Sequence, residues 1–222
     1  MKFFIAATTL LAGSAMAAPA VDLEERQLGS ITRNDLEDGS AGDCPEAIFI
    51  FARATGEPGN MGASAGPAVA GTLEREISSV WIQGVGGPYD ATVGDNVGRL
   101  GTSQEAIDEM TRLFNMAHDK CPDSAVVTGG YSQGTAVVAG SVSTLDAAVQ
   151  EQVKGAVLFG YTKNRQNNEQ IPNYPTDRTE IFCNPGDLVC EGSLIVAAPH
   201  FAYTTAARGP AADFLVQQIN SA

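Results

Sequence analysis

The sequence, 222 residues long, predicts an α/β fold: a central, mostly parallel sheet of about five strands covered by helices on both faces. Three observations lead there. Short, almost continuously apolar runs recur at Ala47–Phe51, Val80–Gln83, Ala125–Thr128, Ala156–Phe159 and Glu180–Cys183, which is how strands read when both of their faces are covered. Helix-like stretches alternate with them, and that alternation argues for parallel strands joined by right-handed crossovers. The chain after Asp43, roughly 180 residues, is the size of one domain with a sizeable core.

In chain order, residues 1–18 read as a secretory signal: Lys2, an uncharged run from Phe3 to Ala12, then small residues ending at Ala17-Ala18. The run is too short to span a bilayer, which takes about 20 residues, so no membrane anchor is expected. Residues 19–43 are acidic and polar without a sustained apolar period, and read as a pro-segment or flexible arm, with Arg26 a candidate processing point. Residues 44–222 form the expected α/β domain. Helices are expected at Ala68–Ile77, Ser103–Asp119, Gln133–Val149 and Ala211–Ile219. The second carries the clearest period, with Ala106, Ile107, Met110, Leu113, Phe114 and Ala117 on one stripe. Ser103 is its expected N-cap and Cys121-Pro122 its stop. Gly84-Val85-Gly86-Gly87 follows a strand but lacks the last glycine and the helix that a dinucleotide loop needs.

Charge and cysteines narrow the function classes. A formal net charge of −13 repels phosphate-rich partners, and basic runs with interleaved aromatics are missing, so nucleic acid is not an expected partner. Four cysteines behind a secretory signal suggest two disulfides. Three pairings are formally open. Spacing favours a local Cys183–Cys190 bridge around a short turn, which leaves Cys44 for Cys121. Neither the Cys nor the His spacing fits a zinc site, so no metal is expected.

The chemistry concentrates at Gly129-Gly130-Tyr131-Ser132-Gln133-Gly134. A strand runs into this G-x-S-x-G segment and a helical pattern leaves it. The context puts Ser132 on a cramped turn where flanking side chains would clash, with its hydroxyl pushed out above the sheet. A serine hydroxyl needs a base to become a nucleophile. Two histidines are available. His118 lies near a helix C-terminus, where an imidazole complements the helix dipole. His200 lies downstream of Ser132, in the chain order Ser, acid, His that such folds use. Asp146, Glu151, Glu169, Asp177, Glu180, Asp187 and Glu191 fall between them. Asp187 is best placed, following the last strand in a Pro-Gly turn between two cysteines. The backbone N–H of Gln133 is one expected oxyanion donor, and the loop Phe51–Glu57 is a candidate for the second.

These segments, together with Ile48-Phe49-Ile50-Phe51-Ala52-Arg53, Trp81-Ile82-Gln83-Gly84-Val85-Gly86-Gly87, Leu158-Phe159-Gly160-Tyr161-Thr162-Lys163, Cys183-Asn184-Pro185-Gly186-Asp187-Leu188-Val189-Cys190 and Ala198-Pro199-His200, resemble fungal cutinases from about Cys44 to the C-terminal helix. The resemblance implies a small, lidless α/β hydrolase that cleaves ester bonds of the plant polyester cutin and of small soluble esters. It implies a triad of Ser132, Asp187 and His200, disulfides Cys44–Cys121 and Cys183–Cys190, an oxyanion hole of Thr55 and Gln133, and Asn96 bracing that loop. Many family members carry Gly-Ser where this chain has Ala54-Thr55. A threonine hydroxyl donates as a serine does, but its β-branch stiffens χ1.

The stretches between Phe159 and Ile181 and between Asp187 and His200 are too short to hold a helical cap, so an open site is expected. Leu194–Ala198 by itself reads as a buried strand. By the resemblance Leu194, Ile195, Val196 and Phe201 form an apolar rim facing Val93. The expected protein is a secreted, extracellular monomer without cofactor. The rival readings are an acetylxylan esterase, a short-chain lipase, or a non-catalytic surface-binding protein on the same scaffold.

Overall fold

The computed structural model describes residues 30–222. The signal, the Arg26 processing point and the first part of the expected arm lie outside the described residues. Five strands form one sheet in the order β2-β1-β3-β4-β5, all parallel: β1 (Ala47–Ala52), β2 (Val80–Gly84), β3 (Ala125–Tyr131), β4 (Val153–Phe159) and β5 (Thr179–Phe182). Within β1, successive side chains serve opposite faces. Ile48 and Ile50 enter one core with Val126 and Leu158, whereas Phe49 and Phe51 enter the other with Val127, Val157 and Phe159. That double burial is why the central strands read as unbroken apolar runs, whereas β5 at the edge is only half-buried.

One face is covered by α3 (Gln104–Lys120) and α4 (Gln133–Val142), through Met110, Leu113, Phe114, Val137 and Val138. The other is covered by α2 (Ala65–Glu76), α6 (Thr204–Arg208) and α7 (Pro210–Asn220), through Val69, Leu73, Ala207, Ala211 and Leu215. The α3 boundaries follow their capping chemistry. Ser103 Oγ accepts from the Ala106 N–H at 3.1 Å, and the helix ends at Cys121, before Pro122.

The expected single helix Gln133–Val149 is instead two, α4 and α5 (Ala147–Gln152). At the break the hydroxyls of Ser143 and Thr144 donate to the Gly140 carbonyl and the Gln150 amide donates to the Val142 carbonyl, so side chains replace the backbone ladder. Short α6, immediately after His200, has too little period to have been read from sequence.

The expected flexible arm also needs correction at its C-terminal end. Asn34 bridges to Gln83 antiparallel, the Gly84 N–H donates to the Arg33 carbonyl at 2.9 Å, and Asp35 Oδ2 accepts from the Ile82 N–H at 3.0 Å. A short helix, α1 (Asp35–Asp38), then buries Leu36. A polar segment docks here because the free edge of β2 offers it hydrogen-bond partners, a gain that composition does not reveal.

Both disulfides form as spacing favoured, Cys44–Cys121 and Cys183–Cys190. In the chain-entropy picture the first, closing the longer loop, contributes roughly 4.5 kcal/mol and the second about 2.5. Among the described residues no helix is long and apolar enough to cross a membrane.

Candidate active site

Ser132 stands between β3 and α4 at φ 53°, ψ −120°, a conformation that side chains rarely adopt. Such a residue costs on the order of 1–3 kcal/mol and persists only when its surroundings hold it. They do so tightly. Its N–H donates to the Phe159 carbonyl at 2.9 Å, and its own carbonyl accepts from the Thr135 N–H and hydroxyl. A Cβ on Gly130 would sit 2.5 Å from the Gly134 carbonyl oxygen, and one on Gly134 would sit 2.0 Å from the Ala52 carbonyl oxygen. Glycine at both positions is therefore a packing requirement of the turn. Ser132 is partly exposed, and the N-terminus of α4 begins directly behind it.

His200 Nε2 lies 2.9 Å from Ser132 Oγ, and its Nδ1 lies 2.8 Å from Asp187 Oδ2. The carboxylate can only accept, so Nδ1 carries the proton and Nε2 is left to accept from the serine hydroxyl. Asp187 and His200 are each 2% exposed. The candidate general base and acid are thus shielded from water while the candidate nucleophile is not.

Two tyrosines that sequence reasoning missed hold this pair. Tyr203 donates to Asp187 Oδ2 at 2.5 Å and accepts from the Asn184 N–H at 3.0 Å, while the Val189 N–H donates to Asp187 Oδ1 at 3.0 Å. The carboxylate therefore receives three donors. Tyr131, adjacent to the serine, donates to the His200 carbonyl at 2.6 Å. Burial raises the pKa of both phenols, and the hydrogen bond to Asp187 raises that of Tyr203 further. Both consequently remain donors far into the alkaline range. The available signal was position: one tyrosine precedes the nucleophile and the other lies three residues after the base. Gly160 was also missed; at φ +59° it passes so close to the imidazole that a Cβ would lie 2.6 Å from His200 Cε1.

On the oxyanion side, Thr55 Oγ1 accepts from Asn96 Nδ2 at 3.0 Å and from Gln133 Nε2 at 3.2 Å. With both lone pairs engaged, the threonine hydrogen is free to point away from these partners. The fully buried Gln133 side chain adds a contact the sequence did not reveal, since Nε2 also donates to the Thr92 carbonyl at 2.7 Å.

Residues 194–197 adopt no regular structure, so the alternative of a buried strand fails. Leu194, Ile195, Val196 and Phe201 are 58, 65, 51 and 68% exposed, on the loop that carries the base. Val93, 74% exposed, and Val97, 75% exposed and missing from the sequence reading, flank Asn96 on the oxyanion side. His118 is accounted for structurally: its Nδ1 lies 3.0 Å from Gln152 Oε1.

Comparison with known proteins sharpens this picture. The family model described as Cutinase matches residues 43–219. Over the whole chain the sequence is 55% identical to Cutinase 1 of Fusarium vanettenii, covering 98% of that protein, and 53% identical to Cutinase CUT1 of Pyricularia oryzae, covering all of it. The structure of a Trichoderma reesei cutinase in complex with a phosphonate inhibitor superposes with a TM-score of 0.74 at 33% identity, over 89% of this chain and 84% of that one. The catalytic core of an acetyl xylan esterase from Trichoderma reesei superposes at 0.64 with 18% identity, over 81% of this chain and 99% of that one, a likeness of fold alone. A match spanning the whole folded domain, joined to identities above one half across the full sequence, establishes that this chain belongs to the cutinase family.

Proposed function

We propose that the protein is a secreted serine esterase that hydrolyses cutin, and small soluble esters, through an acyl-enzyme formed on Ser132. The observation that carries this reading is the hydrogen-bonded chain from partly exposed Ser132 through His200 to Asp187, with exposed apolar side chains on the loop that carries His200. His200 takes the serine proton as Oγ bonds to the ester carbonyl carbon. The carbonyl oxygen becomes an oxyanion that the Gln133 N–H and the Thr55 donors stabilise, while Asp187 stabilises the imidazolium. Collapse of the intermediate breaks the ester bond, and His200 returns its proton to the departing alcohol. Water then repeats the cycle and releases the acid. This scheme uses side chains and backbone alone.

The exposed rim suits a polymer surface. Each large apolar side chain contributes roughly 1.5–3 kcal/mol when fully buried, so a few contacts are enough to hold an insoluble polyester near the serine. The protein works as an extracellular monomer, exported by the signal in residues 1–18.

The test is release of hydroxy-fatty-acid monomers from purified cutin by the secreted protein, with Ser132→Ala as control and an organophosphonate as active-serine probe. Monomer release and phosphonate labelling, both abolished in the variant, are expected. Labelling with release only from acetylated xylan would overturn the substrate and keep the mechanism. Failure to label would overturn the serine mechanism itself.

A further inference from the structure

The Glu57 side chain occupies an unusual position for a carboxylate. It folds back beside the turn that carries Thr55, where a negative charge would oppose a developing oxyanion, yet every contact it makes there is with a donor. Oε2 accepts from the Ala54 N–H at 2.9 Å, and Oε1 accepts from the Ala63 N–H at 3.1 Å and from the Ser64 hydroxyl at 2.6 Å. Ser64 precedes α2, so the carboxylate also lies at the positive end of that twelve-residue helix. Gly62 packs closely against one side of it, since a Cβ there would lie 2.3 Å from Glu57 Oε2.

The rest of the turn is tied to the same residue. The Glu57 N–H donates to the Ala54 carbonyl at 3.2 Å, and its carbonyl accepts from Arg53 Nε at 2.9 Å. The Arg53 guanidinium in turn lies 5.0 Å over the Tyr89 ring, whose hydroxyl donates back to the Arg53 carbonyl at 2.8 Å. Residues 53–57 therefore form a closed loop with Thr55 at its tip; Thr55 itself meets Asn96 and Gln133, and Glu57 is the side chain that joins the loop to the start of α2.

We infer that Glu57 is the positioning residue of the oxyanion side: its carboxylate, bridging Ala54 to the start of α2, fixes the turn so that the Thr55 hydroxyl meets the developing oxyanion. The inference rests on the serine-esterase reading with Thr55 and Gln133 as donors. Three converging donors require an acceptor-only group with two oxygens. A glutamine in its place would turn an NH2 against an N–H or O–H and open one end of the bridge. A donor displaced by a fraction of an ångström stabilises the transition state less while ground-state binding is unaffected, and misplacement by about 1 Å can cost on the order of 100-fold.

The experiment is a double-mutant cycle on a soluble butyrate ester with Glu57→Gln and Thr55→Val. Thr55→Val is expected to lower kcat by about 100-fold, the usual scale for one lost oxyanion donor. Glu57→Gln is expected to lower kcat by roughly tenfold with KM within about twofold, and to add less than about twofold in the Thr55→Val background. A role confined to stability would move the urea midpoint and leave kcat alone. Unchanged kcat in Glu57→Gln, or effects that multiply in the double variant, would overturn the inference while leaving the esterase reading intact. A silent Thr55→Val would instead bring down the oxyanion assignment, and the inference with it. Should Glu57→Gln not fold, Ser64→Ala removes one donor from the same carboxylate. It should lower kcat by roughly twofold to threefold in the Thr55 protein only, and an unchanged kcat there overturns the inference.

Discussion

The chain from Asp187 to Tyr203 contains two neighbouring regions of opposite character. At its ends, Asp187, His200 and Tyr203 are buried and tied together by hydrogen bonds, with the Cys183–Cys190 disulfide and the Asn184–Pro199 contact closing the turn behind them. In its middle, Leu194, Ile195 and Val196 stand exposed on irregular backbone. In the proposed mechanism the buried ends set a proton path, which demands fixed distances, and the exposed middle meets an irregular solid, which demands no fixed geometry. Placing both in one loop brings polymer and nucleophile together, and the separation in burial means that each can be perturbed without the other.

The largest expected effect comes from breaking the buried ends. Ser132→Ala, His200→Ala and Asp187→Ala should each lower turnover by several orders of magnitude, and combining them should add little because they act as one unit. Single-turnover and steady-state rates on a butyrate ester check this. A double variant far slower than either single one would show that the three do not share a path.

A smaller effect should follow from loosening the same region without removing a triad member. Tyr203→Phe deletes one of the three donors on the Asp187 carboxylate, a charge-assisted bond of about 1.5–3 kcal/mol, or roughly 10–100-fold in kcat. KM should stay nearly constant, and the ratio of cutin to butyrate activity should not change. A selective loss on cutin would mean that the buried and exposed regions are not independent.

The converse experiment perturbs the exposed middle. Replacing Leu194 and Ile195 by serine should reduce monomer release from cutin several-fold more than butyrate hydrolysis. Because Ser132 is already partly exposed, the wild-type rate on a short-chain triglyceride should pass its solubility limit without a jump. A steep jump would show that a segment closes over the serine.

The smallest effect concerns alkaline stability. Tyr89, Tyr131 and Tyr203 all have pKa values raised above the free phenol's, with burial the leading cause. The fold thus favours their neutral forms. The stabilisation is fully present below the unfolded value near ~10 and is lost as pH rises from there through the raised folded values. Urea midpoints should therefore be level from neutral pH to about 10 and fall above it. Tyr131→Phe should make that fall shallower, whereas the rim substitutions should leave its slope alone.

Much of this architecture was legible locally. The central strands announced themselves because they are buried on both faces, and α3 because one stripe of it is. Ser132 was legible because its strained turn demands glycines at Gly130 and Gly134, and His200 because no other histidine follows the serine. The break between α4 and α5 was not, since it depends on hydroxyls that choose between solvent and the preceding carbonyls. Nor was the docking of residues 33–38, whose partners lie on a strand edge far along the chain.

The sequence by itself determined the fold class and singled out the candidate nucleophile, base and acid, because each rests on a local pattern or on chain order. Only the tertiary structure decided what holds them: Tyr131 and Tyr203 on the triad, Asn96 and the Gln133 side chain on Thr55, and Glu57 on the turn beneath it. Asparagine, glutamine and glutamate mostly face water, and tyrosine is intermediate. What makes these different is a hydrogen-bond partner brought close by the folding of distant segments, and no pattern along the chain encodes that proximity.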